Sequence, residues 1–483
     1  VVNGRIALGR PSPAMEWGGL LLLTAALLAA TGKLIVFAGP YALLVPLLIP
    51  LTAAALTRPA FAVYALAFLS PLTSGMGRGS VIPFFRPNEL VLMALVYVAV
   101  VTFLARKRPF RFTWLDGLVL AFLAFRVGLP TAVFFFRGEP WSAFAFKTLF
   151  GPLQYYIVFR MGIECIEDGR QARTAIFLML VSSSIVAFVG VLQALQVPGI
   201  NAFLETYYPS DKDIYTFLFA RRVTSLWAGD WNGCGLYMAM CTVLALGTAH
   251  LFLRRWQRML VLGIAFLDLV VVFLTASFTG TICLFLGLAL LFARSSEAKR
   301  VVKPLLLVAP VIGVVLGGVF WKIISERIDV QFNQAATTLV PHSFRIRIWM
   351  WRELMWPWVE RFWLWGLGPY RWGWPDEESY YMFTILKAGF FGMLAYAALH
   401  LVLFFRLPAI FRRARTWRGA VALVVWIHFL QVAIANISGS YFEANGVSEI
   451  LWLLAGFLMA SEVRGGAMRE AQMSAGDLRE VEA

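Results

Sequence analysis

The chain is patterned as long apolar runs parted by short polar hinges, and the apolar positions fill whole runs instead of recurring along one helical face. A helix needs roughly 20 predominantly apolar residues to cross a bilayer. On that spacing the runs predict helices near 16–30, 34–56, 60–73, 88–105, 114–136, 143–161, 174–197, 232–253, 258–274, 277–293, 303–322, 379–405, 417–437 and 445–461. The predicted fold is an all-α polytopic membrane protein with about 12–14 transmembrane helices. The runs at 16–30 and 60–73 are the shortest of them.

The hinges test this assignment independently. Arg106, Lys107, Arg108 and Arg111 form one, Arg170 and Arg173 a second, and Arg254, Arg255 and Arg258 a third. Arg294, Lys299, Arg300 and Lys303 form a fourth, and Arg406, Arg412, Arg413, Arg415 and Arg418 a fifth. Basic hinges belong on the cytoplasmic side, and with both termini inside, alternation of the spans puts every hinge there. Three longer intervals then fall outside: 74–87, 198–231 and 323–378. Residues 1–461 read as a single transmembrane domain, and 462–483, rich in Glu, Arg and Gly, as a disordered cytoplasmic tail. The first run follows Arg5 and Arg10 without a convincing small-residue cleavage site, so it reads as a span and not as a signal peptide. Neither half mirrors the other in loop length, which is unlike the paired repeats of transporters.

Composition narrows the function. With 60% hydrophobic and 14% charged residues, the chain is not an ordinary soluble domain. Its 42 Lys plus Arg exceed its 27 Asp plus Glu, but the basic residues collect in hinges, where they report topology and not nucleic-acid binding. Cys234, Cys241 and Cys283 lie within apolar runs and Cys165 near the end of one, a pattern that supplies neither a disulfide framework nor a Cys-x-x-Cys metal site. His250, His342, His400 and His428 are scattered over different elements, so a metal site is unsupported. No cofactor is implied.

The interval 323–378 breaks the charge rule by being long, basic and external. From Pro341 it reads PHSFRIRIWMWRELMWPWVERFWLWGLGPYRWGWPDEESYY. Eight of the chain's 18 Trp fall between Trp349 and Trp374, interleaved with Arg345, Arg347, Arg352, Arg361 and Arg371, and the stretch closes on Asp376, Glu377 and Glu378. Trp at this density belongs where rings meet lipid headgroups, and Arg presents a planar, permanently charged fork to phosphate. The stretch therefore predicts the rim of a site for an anionic, lipid-like ligand; the plainer reading is that long loops escape the rule. Arg345, Trp349, Arg352 and Trp356 share one helical face, while Arg347, Trp351, Trp358 and Arg361 fall roughly on another, and Pro357 interrupts the run. An interfacial helix would segregate better, so some of these arginines face a cavity and others snorkel to water.

Other positions carry two readings each. Arg221 and Arg222 approach the mouth of the span that Asn232 opens, to hold a phosphate or merely to anchor the loop at the interface. Arg126, Lys147 and Lys387 are cations within apolar runs, costly unless paired or hydrated. Lys147 lies near enough to its span end to snorkel, whereas Arg126 is nearer mid-span. Lys387 reads as a cavity residue or as the neutraliser of a neighbouring carboxylate. Asp376, Glu377 and Glu378 offer a general base for a sugar hydroxyl, or a negative cap on the helix starting near Ser379. Asp211-Lys212-Asp213 has the spacing that holds a metal on a sugar nucleotide, but it is predicted outside the membrane, where nucleotide sugars are not supplied.

The order RRVTSLWAGDWNG, LTASFTG, RIWMWRELMWPWVERFWLWGLGP, ESYYMFTILKAGFFG resembles the O-antigen ligase and Wzy polymerase family of membrane glycosyltransferases over roughly residues 215–405. An external Arg before a turn with Asn at a helix start matches Arg222 and Asn232. An Arg, three residues, Trp, and a later Gly-x-Gly-Pro match Arg347, Trp351, Gly366, Gly368 and Pro369. A polar pair, a Tyr and a closing Gly match Glu378, Ser379, Tyr381 and Gly389. Two departures stand out: the ligases carry His-Asn where this chain has Glu378-Ser379, and many members carry Ser-Arg-Gly where it reads Ser277-Phe278-Thr279-Gly280.

The resemblance implies a GT-C-like fold with a long external loop carrying short helices, and a donor glycan on a polyprenyl diphosphate. Such a donor brings its own leaving group, so Arg clamps replace a metal and transfer inverts the anomeric carbon. Arg347 and Glu378 are the implied catalytic pair, with Glu378 as base on the acceptor hydroxyl. Arg222, Arg345, Arg352 and Lys387 would hold the diphosphate, and Trp351 and Tyr381 the glycan or lipid. The implied partners are the lipid-linked donor, a glycan or lipid acceptor, membrane lipid and polysaccharide export proteins. The implied location is the bacterial inner membrane, with the site facing the periplasm. Absence of the ligase His favours a polymerase over a ligase; a flippase of lipid-linked oligosaccharide and a scaffold of the export machinery are the alternatives from other classes.

Overall fold

The computed structural model describes residues 57–76, 111–138, 151–209, 222–227, 229–252, 254–300, 318, 325, 342–369, 379–413 and 417–463. The expected spans 16–30, 34–56 and 88–105, most of 303–322 and the first part of 143–161 lie outside these residues, as do Lys147, Asp211-Lys212-Asp213 and the acidic run with Glu378. Six helices among the described residues are long and apolar enough to cross a membrane, so the protein is a multi-pass membrane protein. No strand occurs among the described residues.

The helices are α1 (Ala60–Thr73), α2 (Trp114–Leu123) running through a π turn (Ala124–Gly128) into α3 (Leu129–Phe136), α4 (Leu153–Cys165), α5 (Gly169–Ala194) and the short α6 (Ile200–Tyr207). There follow α7 (Trp231–Thr248), α8 (Arg255–Leu274), α9 (Phe278–Arg294), α10 (His342–Trp349) with a second π turn (Met350–Met355) leading to α11 (Trp356–Phe362), α12 (Tyr380–Arg413), α13 (Trp417–Ala435) and α14 (447–463). Their starts are written in the sequence. Thr113 and Asp116 form a capping box on α2, and Asp168, Asp230 and Ser277 accept first-turn amides of α5, α7 and α9.

Two helices are buried on every side and form the core. From Gly233 to Thr248, α7 is buried at each position, packed among α5, α8, α9 and α13; residues 446–460, most of α14, are buried likewise. Small residues allow the tight crossings. A Cβ on Gly280 of α9 would stand 2.7 Å from the Gly235 backbone of α7, and one on Gly162 of α4 would stand 3.0 Å from the Gly456 backbone of α14. Outer helices keep an apolar face outward, as Phe285 on α9 and Trp256, Met259 and Phe273 on α8 do.

The described basic hinges gather at one end of the bundle. Arg173 donates to the Leu251 carbonyl (3.3 Å), Arg418 pairs with Glu462 (3.3 Å), Arg160 donates to the Arg111 carbonyl (3.1 Å) and Arg406 lies over the Trp114 ring (4.9 Å). The opposite end holds α6, docked by the Tyr208 hydroxyl on the Leu72 carbonyl (2.7 Å), and the Arg- and Trp-bearing helices α10 and α11. Burial pushes the Tyr208 hydroxyl up, so it remains a donor.

Candidate functional site

The non-basic end is built around the turn 436–446, Asn-Ile-Ser-Gly-Ser-Tyr-Phe-Glu-Ala-Asn-Gly, between α13 and α14. Asn436 is buried and fixes the turn: its Oδ1 accepts the amides of Tyr441 (3.0 Å) and Phe442 (3.1 Å), and its Nδ2 donates to the Tyr396 hydroxyl (2.7 Å). Several elements that reach this end are tied to the turn. The Tyr380 amide donates to the carbonyls of Asn436 (2.9 Å) and Gly439 (3.1 Å), which anchors the start of α12. Ser438 and Thr279 share a hydroxyl hydrogen bond (2.6 Å) that anchors α9. Gly446 lies in the left-handed region at φ +83°, and a Cβ there would stand 2.9 Å from the Trp227 ring. That close approach anchors the loop before α7.

Glu443 carries the strongest link. Arg126 donates Nε to its Oε1 (2.7 Å) and Nη2 to its Oε2 (2.8 Å), and the Tyr380 hydroxyl donates to Oε1 (2.7 Å). The Tyr155 hydroxyl donates to the Glu443 backbone carbonyl (2.5 Å). Arg126 is fully buried while the Glu443 side chain keeps 15% of its surface open. A charge at mid-span depth is tolerable when paired in this bidentate way. Arg126 therefore does not snorkel; it stays inside on its partner.

The sequence-predicted residues fall into three places. Arg222 is buried and closes the end of α8, donating Nε to the Thr275 carbonyl (3.0 Å) and Nη2 to the Ala276 carbonyl (3.0 Å) while it stacks 4.1 Å over Trp231. A cation on carbonyls at a helix C-terminus is favourable. Beside it the Ser277 hydroxyl donates to Asn232 Oδ1 (2.8 Å), so the first two segments of the family resemblance pack on each other.

The last two segments pair in the same way. Gly366 and Gly368 have positive φ and thread the chain against a break in α12 at Gly389 (φ 64°, ψ −161°). The Leu367 amide donates to the Leu386 carbonyl (2.6 Å), Gly368 to Lys387 (3.1 Å) and Phe390 to Trp363 (2.7 Å). The turn thus supplies partners that the interrupted helix lacks. A side chain on Gly366 would collide with the Lys387 carbonyl, and one on Gly389 with the Leu364 carbonyl.

Arg345, Arg347 and Trp351 are half-buried on α10 and the π turn after it, and Arg352 is exposed beside Glu353 at 3.3 Å. Trp349, Trp356, Trp363 and Trp365 are exposed, as headgroup-level rings would be. Lys387 is buried with Nζ 4.1 Å over the Phe383 ring, and Arg126 lies over the same ring at 4.9 Å. Tyr381 is turned to α13, its hydroxyl donating to the Ala433 carbonyl (2.6 Å). Glu378 lies outside the described residues. Among the described residues no group of three or more His, Cys, Asp or Glu gathers as a metal site, and the four cysteines are buried thiols.

Sequence reasoning missed Glu443 and the turn that carries it. A signal existed: an unexcused Arg in mid-span demands an acid, and Glu443 is one of few acids lying between predicted spans on the side away from the hinges.

No protein-family model, curated protein or solved structure matches the chain.

Proposed function

We propose that the protein is a membrane glycosyltransferase that extends a glycan carried on a polyprenyl diphosphate, with inversion and without a metal, at the outer face of a bacterial inner membrane. One observation carries this reading: the four segments of the family resemblance, far apart in the chain, pack pairwise at the non-basic end of the bundle. The first pair reaches the 436–446 turn through Thr279 and the last through Tyr380. In this reading Arg345 and Arg347 meet the diphosphate, aided by Lys387 and the exposed Arg352, and neutralise charge developing on the leaving group. Arg222 supports the site by fixing the loop before α7, Glu378 takes the acceptor proton, and the exposed tryptophans border the lipid. The fold is read as GT-C-like. Glu378-Ser379 in place of His-Asn favours polymerisation over transfer to a lipid A-core acceptor.

The test supplies purified protein in nanodiscs with polyprenyl-diphosphate-linked glycan in the presence of EDTA. Wild type should elongate the glycan, Arg347→Ala should lose about 10²–10³-fold in rate, and Glu378→Gln should fall comparably. A flippase is the second reading, favoured by Asp268, a fully buried carboxyl group within α8 hydrogen-bonded to the Ser183 hydroxyl at 2.9 Å. Movement of the lipid-linked glycan across a bilayer with no new glycosidic bond would establish that reading and end the first.

A further inference from the structure

Asp268 is a buried carboxyl group that the transferase reading does not use. It lies within α8, six residues before Leu274, and is closed to solvent, as is Ser183 of α5 beside it. Six residues of helix are about 9 Å, so the group sits inside the bundle, nearer the non-basic end. Hydrogen counting fixes its state. The Ser183 hydroxyl has one hydrogen and two oxygens within reach, the Leu180 carbonyl at 2.8 Å and Asp268 Oδ2 at 2.9 Å. A carbonyl only accepts, so the hydroxyl hydrogen goes to Leu180. The contact with Asp268 is then a hydrogen bond only when the carboxyl group carries a hydrogen of its own and donates it.

Asp116 and Glu443 show what an ionised carboxylate receives in this bundle. Asp116 accepts from Thr113, Tyr156 and Arg160, and Glu443 from Arg126 and Tyr380. Asp268 has Ser183 alone, its Oδ1 has no hydrogen-bond partner, and among the described residues no cation is paired with it. An ion so placed is far costlier than the neutral acid.

One face of α7 leads to it. Asp230, Cys234, Tyr237 and Cys241 recur at steps of four, three and four residues, which puts them on one side of the helix. Asp230 caps α7 at the non-basic end and is half-buried. The other three are closed to solvent, and each lies within electrostatic reach of Asp268. Cys283 of α9 and His250 of the 249–251 turn, on the other elements packed against α8, do not, and α5 brings Ser183.

We propose that Asp268 is a proton-binding site inside the membrane: it rests as the neutral acid, donating to Ser183, and exchanges its proton with the non-basic side along the Asp230, Cys234, Tyr237 and Cys241 face of α7. On release the proton goes to solvent at Asp230, and the Ser183 hydroxyl turns from the Leu180 carbonyl to the carboxylate left behind; rebinding reverses both moves. Tyr237 is the relay, since of the three buried groups on that face it alone is an O–H. The site does not rest on the transferase reading, and it is the group that a proton-linked carrier would need.

The experiment follows the carboxyl stretching band of the full chain in nanodiscs by infrared spectroscopy. Wild type at neutral pH should show the band of a neutral carboxylic acid, which moves when the protein carries isotope-labelled aspartate and is lost in Asp268→Asn. Asn keeps an N–H donor for Ser183; should that variant not fold, Ser183→Ala makes the assignment instead, because the band rises in frequency as the acid loses its acceptor. In heavy water the wild-type band should shift down as the acid proton exchanges, and Tyr237→Phe should slow that shift several-fold. Absence of a neutral-acid band means that Asp268 is ionised and overturns the site. A band that never shifts in heavy water is a sealed hydrogen bond and overturns it equally, while a wild-type rate in Tyr237→Phe overturns the route along α7. Farnesyl diphosphate, a short stand-in for the lipid-linked donor, should bind Asp268→Asn as it binds wild type; unequal binding would overturn the independence of the proton site from the donor site.

Discussion

Among the described residues two buried arginine–carboxylate pairs, one at each end, are built differently. At the basic end Asp116 is completed locally: it accepts the Thr113 amide and hydroxyl (both 2.7 Å), the Tyr156 hydroxyl (3.1 Å) and Arg160 Nη1 (3.0 and 3.1 Å), while Arg160 Nη2 goes to Glu164. Its partners come from the cap of its own helix and from α4, no more than 44 residues away, and Thr113 with Asp116 starts that helix. At the other end Glu443 draws on Arg126, Tyr155 and Tyr380 from three separate helices, and the Arg126–Glu443 bond closes 317 residues of chain. A pair that caps a helix and a pair that assembles an end of a bundle use the same bond for different ends. Only the second lies in the turn on which the candidate site is built.

The largest effect should come from breaking the second pair on one side. Glu443→Ala strands Arg126 in an apolar surround and should cost about 3–5 kcal/mol, read by unfolding in mixed micelles. The Arg126→Gln/Glu443→Gln double variant should cost less than that single one, because no charge is left without its partner. A double variant worse than Glu443→Ala would mean that the turn is held by the shape of these side chains and not by their charge. Asp116→Ala should cost less, about 1–3 kcal/mol, since Arg160 keeps Glu164 and the Arg111 carbonyl. It should also leave farnesyl diphosphate binding unchanged, which separates helix start from site.

This contrast marks what the sequence disclosed. Spans and caps are local properties, so α1, α7, α8, α9 and α13 fall within a few residues of the apolar runs that predicted them. The Asp116 capping box is legible in the same way, as Thr-x-x-Asp before an apolar run. Glu443 is not, because nothing near it in the chain names a partner 317 residues away. The two π turns were half legible. Pro130 and Pro357 each follow a π turn by two residues; a proline cannot donate to the carbonyl four positions back, and a widened turn before it relieves the clash. The sequence showed Pro357 as an interruption of the Arg- and Trp-rich helix, whereas the helix continues through it from His342 to Phe362.

A middle-sized effect should come from Gly389→Ala. Its left-handed φ and the Leu364 carbonyl beside it leave no room for a Cβ, so the substitution should cost about 1–3 kcal/mol. Because the break it serves receives the Gly366–Gly368 turn, Arg347 should shift with it. Transfer should then fall further than the loss of folded protein accounts for, while Asp116→Ala at matched stability should lose only what unfolding removes. Equal losses in the two variants would place the α12 break outside the site.

Arg352 gives the smallest effect on stability and the sharpest on interpretation. Its side chain is 82% exposed, and that of its ion partner Glu353, at 3.3 Å, is 52% exposed. An exposed pair of adjacent residues is screened by water and salt and holds little of the fold together. Arg352→Ala should therefore unfold with the wild-type midpoint. Any fall in affinity for farnesyl diphosphate then comes from lost contact with the ligand, and it should shrink as salt is raised, because a surface cation acts through a screened field. A variant of Arg352 that binds as wild type at every ionic strength would remove Arg352 from the phosphate contacts and leave the exposed face of the helix to lipid.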